Sequence, residues 1–256
     1  MPRRYEGMAY WEMVSRHMGL LSKVDQVKLR DSTVTVIGCG GIGGAVIEML
    51  ARMGIGGLRI VDGDVFDISN INRQIMSSFH DLKLPKSEVT AERIRKINPF
   101  VEVEVFNEIF TWDNADGIIG ESDLVVDALD NITGRVIASR KSRERGIPFI
   151  HGAVHGSRGQ VTVFTVNSPS YEEMFRLPSA GCKLTDEVIR KLDGLSSDTP
   201  PVLGPLPNLT GCIQSFEALK ILTERGRVIE APRMLNFDLM GEEPFRVIEV
   251  PVAKTI

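Results

Sequence analysis

"VTVIGCGGIGGAVIEML", residues 34–50, decides the fold. A β-branched apolar run ends in Gly38-Cys39-Gly40-Gly41-Ile42-Gly43, a G-x-G-x-x-G turn, and an apolar helical pattern follows it. Glycines at this spacing let the backbone turn tightly and approach a phosphate. The first amides of the following helix then supply donors and a favourable dipole. The turn predicts a nucleotide site but does not choose the nucleotide.

On the C-terminal side, strand and helix patterns alternate. "GLRIVD" reads as a second strand, "SEVTAERIRKIN" as a helix with Pro85 near its start and Pro99 past its end, and "VEVEVF" as a third strand. "SDLVVDAL" reads as a fourth strand, "ITGRVIASRKSRERG" as a helix and "IPFIHG" as a fifth strand. This alternation predicts an α/β fold, a Rossmann-like, doubly wound and mostly parallel sheet. Apolar positions at helical spacing over residues 8–30 predict one or two helices ahead of it. After about residue 157 the pattern changes. "GQVTVFTV" reads as a strand of a C-terminal antiparallel subregion, and residues 168–207 as a long irregular excursion rich in Pro, Ser and Gly. "NLTGCIQSFEALKILTE" reads as an amphipathic helix and "RMLNFDLMGEEPFRVIEV" as a hairpin. Residues 1–256 therefore read as one domain: an N-terminal helical segment (1–30), a nucleotide-binding half (31–156) and a substrate-binding and dimerisation half (157–256).

Bulk properties exclude several classes. With 256 residues, 43% apolar and 25% charged, the chain can bury a sizeable core, and a net charge of −4 gives no nucleic-acid footprint. Cys39, Cys182 and Cys212 form no C-x-x-C pair and no disulfide framework. No stretch approaches the roughly 20 apolar residues of a membrane helix, and the N-terminus has no clean apolar leader. A cytoplasmic protein with neither membrane nor nucleic acid as partner is expected.

The residues beyond the second strand choose the nucleotide. Asp62 lies 19 residues after Gly43, where an acidic group accepts from ribose hydroxyls. "DGDVFDISNINRQIM" (62–76) and "LKLPKSEV" (82–89) then crowd Asn70, Asn72, Arg73, Gln74 and Lys86 behind it. A dehydrogenase does not require that crowd. A triphosphate does, because a polyanion needs a delocalised Arg and a point-charge Lys aimed at its oxygens. "VVDALDN" places Asp127 and Asp130 at the carboxyl edge of the sheet, where open α/β folds bind ligands. A carboxylate beside phosphates is tolerated when a divalent cation lies between them, so Asp130 reads as a Mg²⁺ ligand and Asp127 as a structural strand end.

Read in order, "GCGGIGG", "VDGDVFDISNINRQ", "LPKSEVTAERIRKINP" and "VVDALDN" resemble the E1-like adenylyltransferases. That group contains the ubiquitin-activating enzymes and the bacterial molybdopterin and thiamin biosynthesis activators (ThiF, MoeB, HesA). The resemblance implies that MgATP is bound and that a substrate carboxylate attacks the α-phosphate, giving an acyl-adenylate and pyrophosphate. It places Gly40 and Gly41 at the phosphates and Asp62 at the ribose, with Gly38, Gly43 and Asp64 as further nucleotide-binding residues. Asn70, Asn72 and Gln74 join the nucleotide site, Arg73 and Lys86 lie on the triphosphate, and Asp130 lies on Mg²⁺. It also implies a homodimer in which Arg16, in "SRHM", reaches the partner's ATP.

The chain departs from many members of that group. Where they carry the first of two zinc-binding C-x-x-C pairs it has Ser170 and Glu173, and "RVIEVPVAKTI" offers no second pair, so no structural zinc is expected. Where relatives carry a transfer cysteine it has "LSSDTPPVLGP", with Ser197 near the matching place. Cys182 is the remaining candidate nucleophile, with Lys183 its sole basic neighbour in sequence. His151 and His155 flank the end of the fifth strand and either line the substrate pocket or pack.

The pared-down C-terminal half resembles that of members acting on small molecules. It implies activation of the guanylylpyridinol carboxylate in biosynthesis of the iron-guanylylpyridinol cofactor, with a downstream thioester-forming protein as a partner. The alternative within the family is the C-terminal glycine of a ubiquitin-like sulfur carrier. The alternative outside it is an NAD-dependent oxidoreductase.

Overall fold

Each continuous apolar run becomes a strand flanked by helices that cover both its faces. In the computed structural model, which describes residues 8–195 and 201–252, eight strands form one sheet in the order β3-β2-β1-β4-β5-β6-β7-β8. The parallel part comprises β1 (Thr33–Ile37), β2 (Gly57–Val61), β3 (Glu102–Phe106), β4 (Leu124–Asp127) and β5 (Phe149–His155). β6 (Arg158–Phe164), β7 (Arg233–Asp238) and β8 (Phe245–Glu249) extend it as antiparallel strands. The expected α/β architecture with an antiparallel C-terminal subregion is what forms.

The helices are α1 (Met8–Met13), α2 (Lys23–Asp31), α3 (Gly41–Arg52), α4 (Lys86–Ile97), α5 (Ala115–Ile119), α6 (Ile132–Glu144), α7 (Tyr171–Met174), α8 (Asp186–Asp193) and α9 (Pro205–Thr223). Two cores result. On one face of the sheet Val34, Val36, Leu58, Ile60, Leu124 and Val126 pack with Val46, Leu50, Ile94 and Leu206, which belong to α3, α4 and α9. On the other, Ile37, Val61, Val125 and Phe149 pack with Ile118, Val136, Tyr171 and Leu192, which belong to α5 through α8.

Two expectations need correction. Residues 168–207 are not irregular throughout: α7 and α8 lie in them, and Tyr171, Met174 and Leu192 are buried. Their polar composition reflects helix caps. Ser170 and Glu173 form a reciprocal capping box on α7, and Thr185 caps α8. α9 is not amphipathic: of its 19 residues only Pro205 and Phe216 are exposed, because it lies between α3, α2 and strands β5 and β6. Its Gln214 Nε2 donates to the carbonyl of Asp127 at 2.8 Å and its Glu217 accepts from the Ile229 amide at 3.0 Å, so each buried polar side chain is anchored by a hydrogen bond, while Gln214 Oε1 has no partner among the described residues. α5 is a further helix, for which the sequence carries no signal beyond one turn's worth of apolar residues.

α9 approaches α3 closely at Gly211, where an added Cβ would stand 2.5 Å from the carbonyl oxygen of Ile42. Gly211→Ala is therefore expected to destabilise the chain by about 1–3 kcal/mol, the usual cost of overpacking. Gly117→Ala, in α5 with open space around it, is expected to be neutral or stabilising by up to about 1 kcal/mol. Urea unfolding of the two variants checks both.

Candidate nucleotide site and the adjoining cleft

The site grows from the turn between β1 and α3. Gly38 has φ +103°, and a Cβ there would meet the Ala128 carbonyl oxygen at 2.6 Å. At Gly43 a Cβ would fall 1.8 Å from the Gly38 carbonyl oxygen. These two glycines let the first turn of α3 sit directly on the strand ends. α3 begins at Gly40 with no side-chain cap, which leaves its leading amides without side-chain partners and its dipole directed at the space above.

That space is a cleft of about 560 Å³, of a size suited to a small ligand. Of the expected residues, Gly38, Gly40, Gly41, Asp62, Asp64, Arg73, Gln74, Lys86 and Asp130 line it. Asp62 accepts from the Cys39 amide at 2.8 Å and the Asp64 amide at 2.9 Å, which fixes its carboxylate across the turn. Burial nevertheless raises its pKa, against those donors and Lys86. Lys86 is buried and its Nζ lies 2.9 Å from the Asp64 carboxylate. Arg73 donates to the Ser69 carbonyl at 2.7 Å and to Asn72 Oδ1 at 2.9 Å, so its guanidinium is braced by its own loop. Gln74 is buried, and its Oε1 has no hydrogen-bond partner among the described residues. An unpaired buried amide oxygen in a cleft wall fits a ligand that brings a donor.

Asn70 and Asn72 do not line the cleft. Asn70 is buried in a capping box with Asp67, and Asn72 braces Arg73. Gly43 acts through its contact with Gly38 and is not a lining residue. Arg16 is exposed in a 3-10 turn (Ser15–His17) and does not line the cleft of its own chain. Ser197 lies outside the described residues. Asp130 is exposed at the cleft, and the neighbouring Asn131 caps α6 through the Gly134 amide at 2.7 Å.

Several lining residues escaped the sequence. Glu108, Ile109 and Phe110 follow β3 and fold over Gly63, and their only signal is a place just past a strand end. Pro207 of α9 packs on Gly41, and Asn208 donates to the Arg73 carbonyl at 3.1 Å, so the C-terminal half closes the nucleotide half. Arg135 of α6 is the most informative. It lines this cleft and also a second one, of about 720 Å³, over the exposed face of β5 to β8. Val154 and His155 are shared by the two clefts as well.

Beneath the junction Asp127 is fully buried rather than a simple strand end. Its Oδ2 lies 2.6 Å from His151 Nδ1 and 3.4 Å from Arg135 Nε, and its Oδ1 accepts from the Leu129 amide at 2.9 Å. Burial pushes His151 below the usual imidazole range, against its hydrogen bond to the Asp127 carboxylate. His151 is therefore a packed residue, ringed by Tyr171 and Phe175 at 5.1 and 5.3 Å, while His155 is exposed at the junction. No helix among the described residues is long and apolar enough to cross a membrane.

A family model described as the ThiF family matches residues 14–255. The chain is 36% identical to the SAMP-activating enzyme E1 of Haloferax volcanii, over 88% of its own length and 80% of that enzyme's. It is 32% identical to the molybdopterin-synthase adenylyltransferase of Haemophilus influenzae, over 86% and 87% of the two chains. To the sulfur carrier protein adenylyltransferase of Thermus thermophilus it is also 32% identical, over 88% and 81%. Among solved structures it is similar in fold to PaaA (TM-score 0.78, 22% identity, 98% and 86% covered). It is similar also to Escherichia coli MccB with ATP (TM-score 0.75, 19% identity, 90% and 67% covered). The chain belongs to the ThiF family and is an E1-like adenylyltransferase.

Burial raises the Cys39 thiol pKa well above its ordinary value, whereas Cys182 is exposed. A chromogenic disulfide reagent is expected to label Cys182 rapidly and Cys39 only on unfolding, as read by peptide mass spectrometry.

Proposed function

We propose that this chain uses MgATP to adenylylate the C-terminal carboxylate of a small ubiquitin-like sulfur-carrier protein, releasing pyrophosphate. One observation carries the reading: the nucleotide cleft and the second cleft share Arg135, Val154 and His155. A flexible tail lying along the second cleft would bring its terminal carboxylate to the nucleotide's α-phosphate at that junction. The names of the relatives from Thermus and Haemophilus support a carrier-type substrate over the guanylylpyridinol carboxylate. The family match favours an adenylyltransferase over an NAD-dependent oxidoreductase.

The chemistry is electrostatics and positioning. The leading amides of α3, at Gly40 and Gly41, cradle phosphate, and Asp62 accepts from the ribose. Arg73 and Lys86 screen the triphosphate. The carboxylate enters ionised, so no general base is needed. Its oxygen forms the new bond to the α-phosphorus as the bond to the bridging oxygen breaks, and the electron pair leaves on pyrophosphate.

Asp130, an exposed carboxylate of the cleft lining, fits the way Mg²⁺ is held by one or two carboxylates plus substrate oxygens. When bound, the ion supplies charge neutralisation between Asp130 and the phosphates. Structural zinc is not part of the proposal, since the Ser170 and Glu173 side chains are committed to capping α7. A second copy supplies Arg16, and the adenylate passes to a separate thiol-bearing partner.

The test is ATP–pyrophosphate exchange with carrier tails and, in parallel, with guanylylpyridinol. Exchange is expected with a tail, and exchange with guanylylpyridinol alone would overturn the substrate reading. Arg73→Ala and Asp130→Ala are each expected to lower exchange about 100-fold or more, the scale of losing a preorganised charge contact. Near-full exchange in Asp130→Ala would remove its metal role. Mixing Arg16→Ala with Asp130→Ala protein is expected to restore part of the activity through one intact site per heterodimer, and confirmed subunit mixing without rescue would remove Arg16 from the site.

A further inference from the structure

The second cleft has a floor made by one face of the antiparallel strands. β5 contributes Ala153 and His155, β6 contributes Arg158 and Gln160, and β7 contributes Asn236 and Asp238. Its charged groups are largely at the periphery, where Arg158 and Asp238 pair at 3.0 Å. Gln160 is different. It is half-buried in the floor, opposite Ala153 and Asn236, and its Nε2 lies 3.1 Å from Nε2 of the fully buried His151.

The protonation pattern around His151 follows from charge balance and hydrogen-bond accounting. The charged groups near it are the Asp127 carboxylate and the Arg135 guanidinium, which already balance one another at 3.4 Å. Tyr171, the other titratable neighbour, is pushed up to about 12 by burial and stays neutral. A third charge in this dry site would be uncompensated, so the imidazole is neutral and carries one N–H. At 2.6 Å from a carboxylate oxygen, Nδ1 must hold that proton, since a lone pair facing the carboxylate would be repelled. Nε2 is then an acceptor, and the group facing it at 3.1 Å must be the NH₂ of Gln160. The amide of Gln160 is thereby locked against flipping. Its Oε1 has no hydrogen-bond partner among the described residues, and the side chain lines the cleft.

We propose that Gln160, locked by the Asp127–His151 pair, is a specificity-determining residue whose Oε1 accepts a backbone N–H from the substrate tail in the second cleft. This rests on the tail reading above and deepens it. A preset acceptor selects for a peptide N–H at one place along the tail and against ligands that present only acceptors there, because an acceptor placed against Oε1 would leave both unpaired. The same chain of bonds ties the cleft floor to Asp127, whose backbone leads within three residues to Asp130, so that the tail's register and the strand end share one scaffold.

Two measurements test it. The first needs no substrate: the ring ¹⁵N spectrum of His151 in the intact protein is expected to show a protonated Nδ1 and an unprotonated Nε2. The opposite tautomer would force the Gln160 NH₂ into the cleft and overturn the proposal. The second pairs Gln160→Met with carriers whose last backbone amides are replaced, one at a time, by esters.

In the unsubstituted protein one ester position is expected to raise the KM for the carrier about 10-fold, the scale of one hydrogen bond. Gln160→Met is expected to raise it similarly for the amide carrier, to add nothing for that ester, and to leave the KM for ATP unchanged. Equal ester effects in both proteins would overturn the proposal while leaving the tail reading intact. Absence of exchange with every tail would overturn both.

Discussion

Everything in this molecule rests on the contact between Gly43 and the carbonyl of Gly38. A Cβ at Gly43 would fall 1.8 Å from that oxygen, so only a bare glycine lets α3 start directly over the ends of β1 and β4. The consequence is electrostatic. The uncapped first turn of α3, with its donors and positive dipole end, is held at the carboxyl edge of the sheet, where Asp62, Lys86 and Asp130 also arrive. Move α3 outward by one ångström and the cradle loses the registration of its amides with the loop that carries Arg73.

Around that contact the chain solves a charge problem. A carboxylate and a triphosphate repel, and a site that joins them must gather cations and hold them in place for the phosphates. Here Lys86 rests on Asp64 and Arg73 on neutral oxygens of its own loop, Ser69 and Asn72. The latter bracing costs little to exchange for a phosphate, because carbonyl and amide partners bind a guanidinium less strongly than an anion does. Arg135 is set deeper. It is held by Asp127 and the Leu129 carbonyl at the place where two clefts meet, which suits a group that has to face an incoming carboxylate in a fixed orientation.

The parallel half was legible because its signals are local: β-branched runs, a glycine turn, Pro85 and Pro99 around α4. Gly38, Gly40, Gly41, Asp62, Asp64, Arg73, Gln74 and Asp130 were legible for the same reason, each lying at a strand end or in a loop, and Lys86 because it opens the helix after Pro85. What the sequence hid depends on tertiary packing. α9 looks two-faced when read alone, yet it is covered on nearly every side by α3, α2 and the sheet. Asn70 carries the right chemistry for a ligand but spends it on Asp67. Ser170 and Glu173, met as the place of missing metal ligands, are a helix cap, and the S-x-x-E spacing carried that signal openly. Arg135 and Gln160 gave none, since their roles come from which clefts they face.

In the proposed reaction the cleft over the glycine turn seats a triphosphate whose α-phosphate faces the second cleft. A crystal structure of the chain with a non-hydrolysable ATP analogue and Mg²⁺ tests this most directly. The account predicts the ribose on Asp62, the β- and γ-phosphates between Arg73 and Lys86, and the α-phosphate at the junction beside Arg135. A nucleotide whose phosphates point away from Arg135, with the α-phosphate closed off from the second cleft, would contradict it.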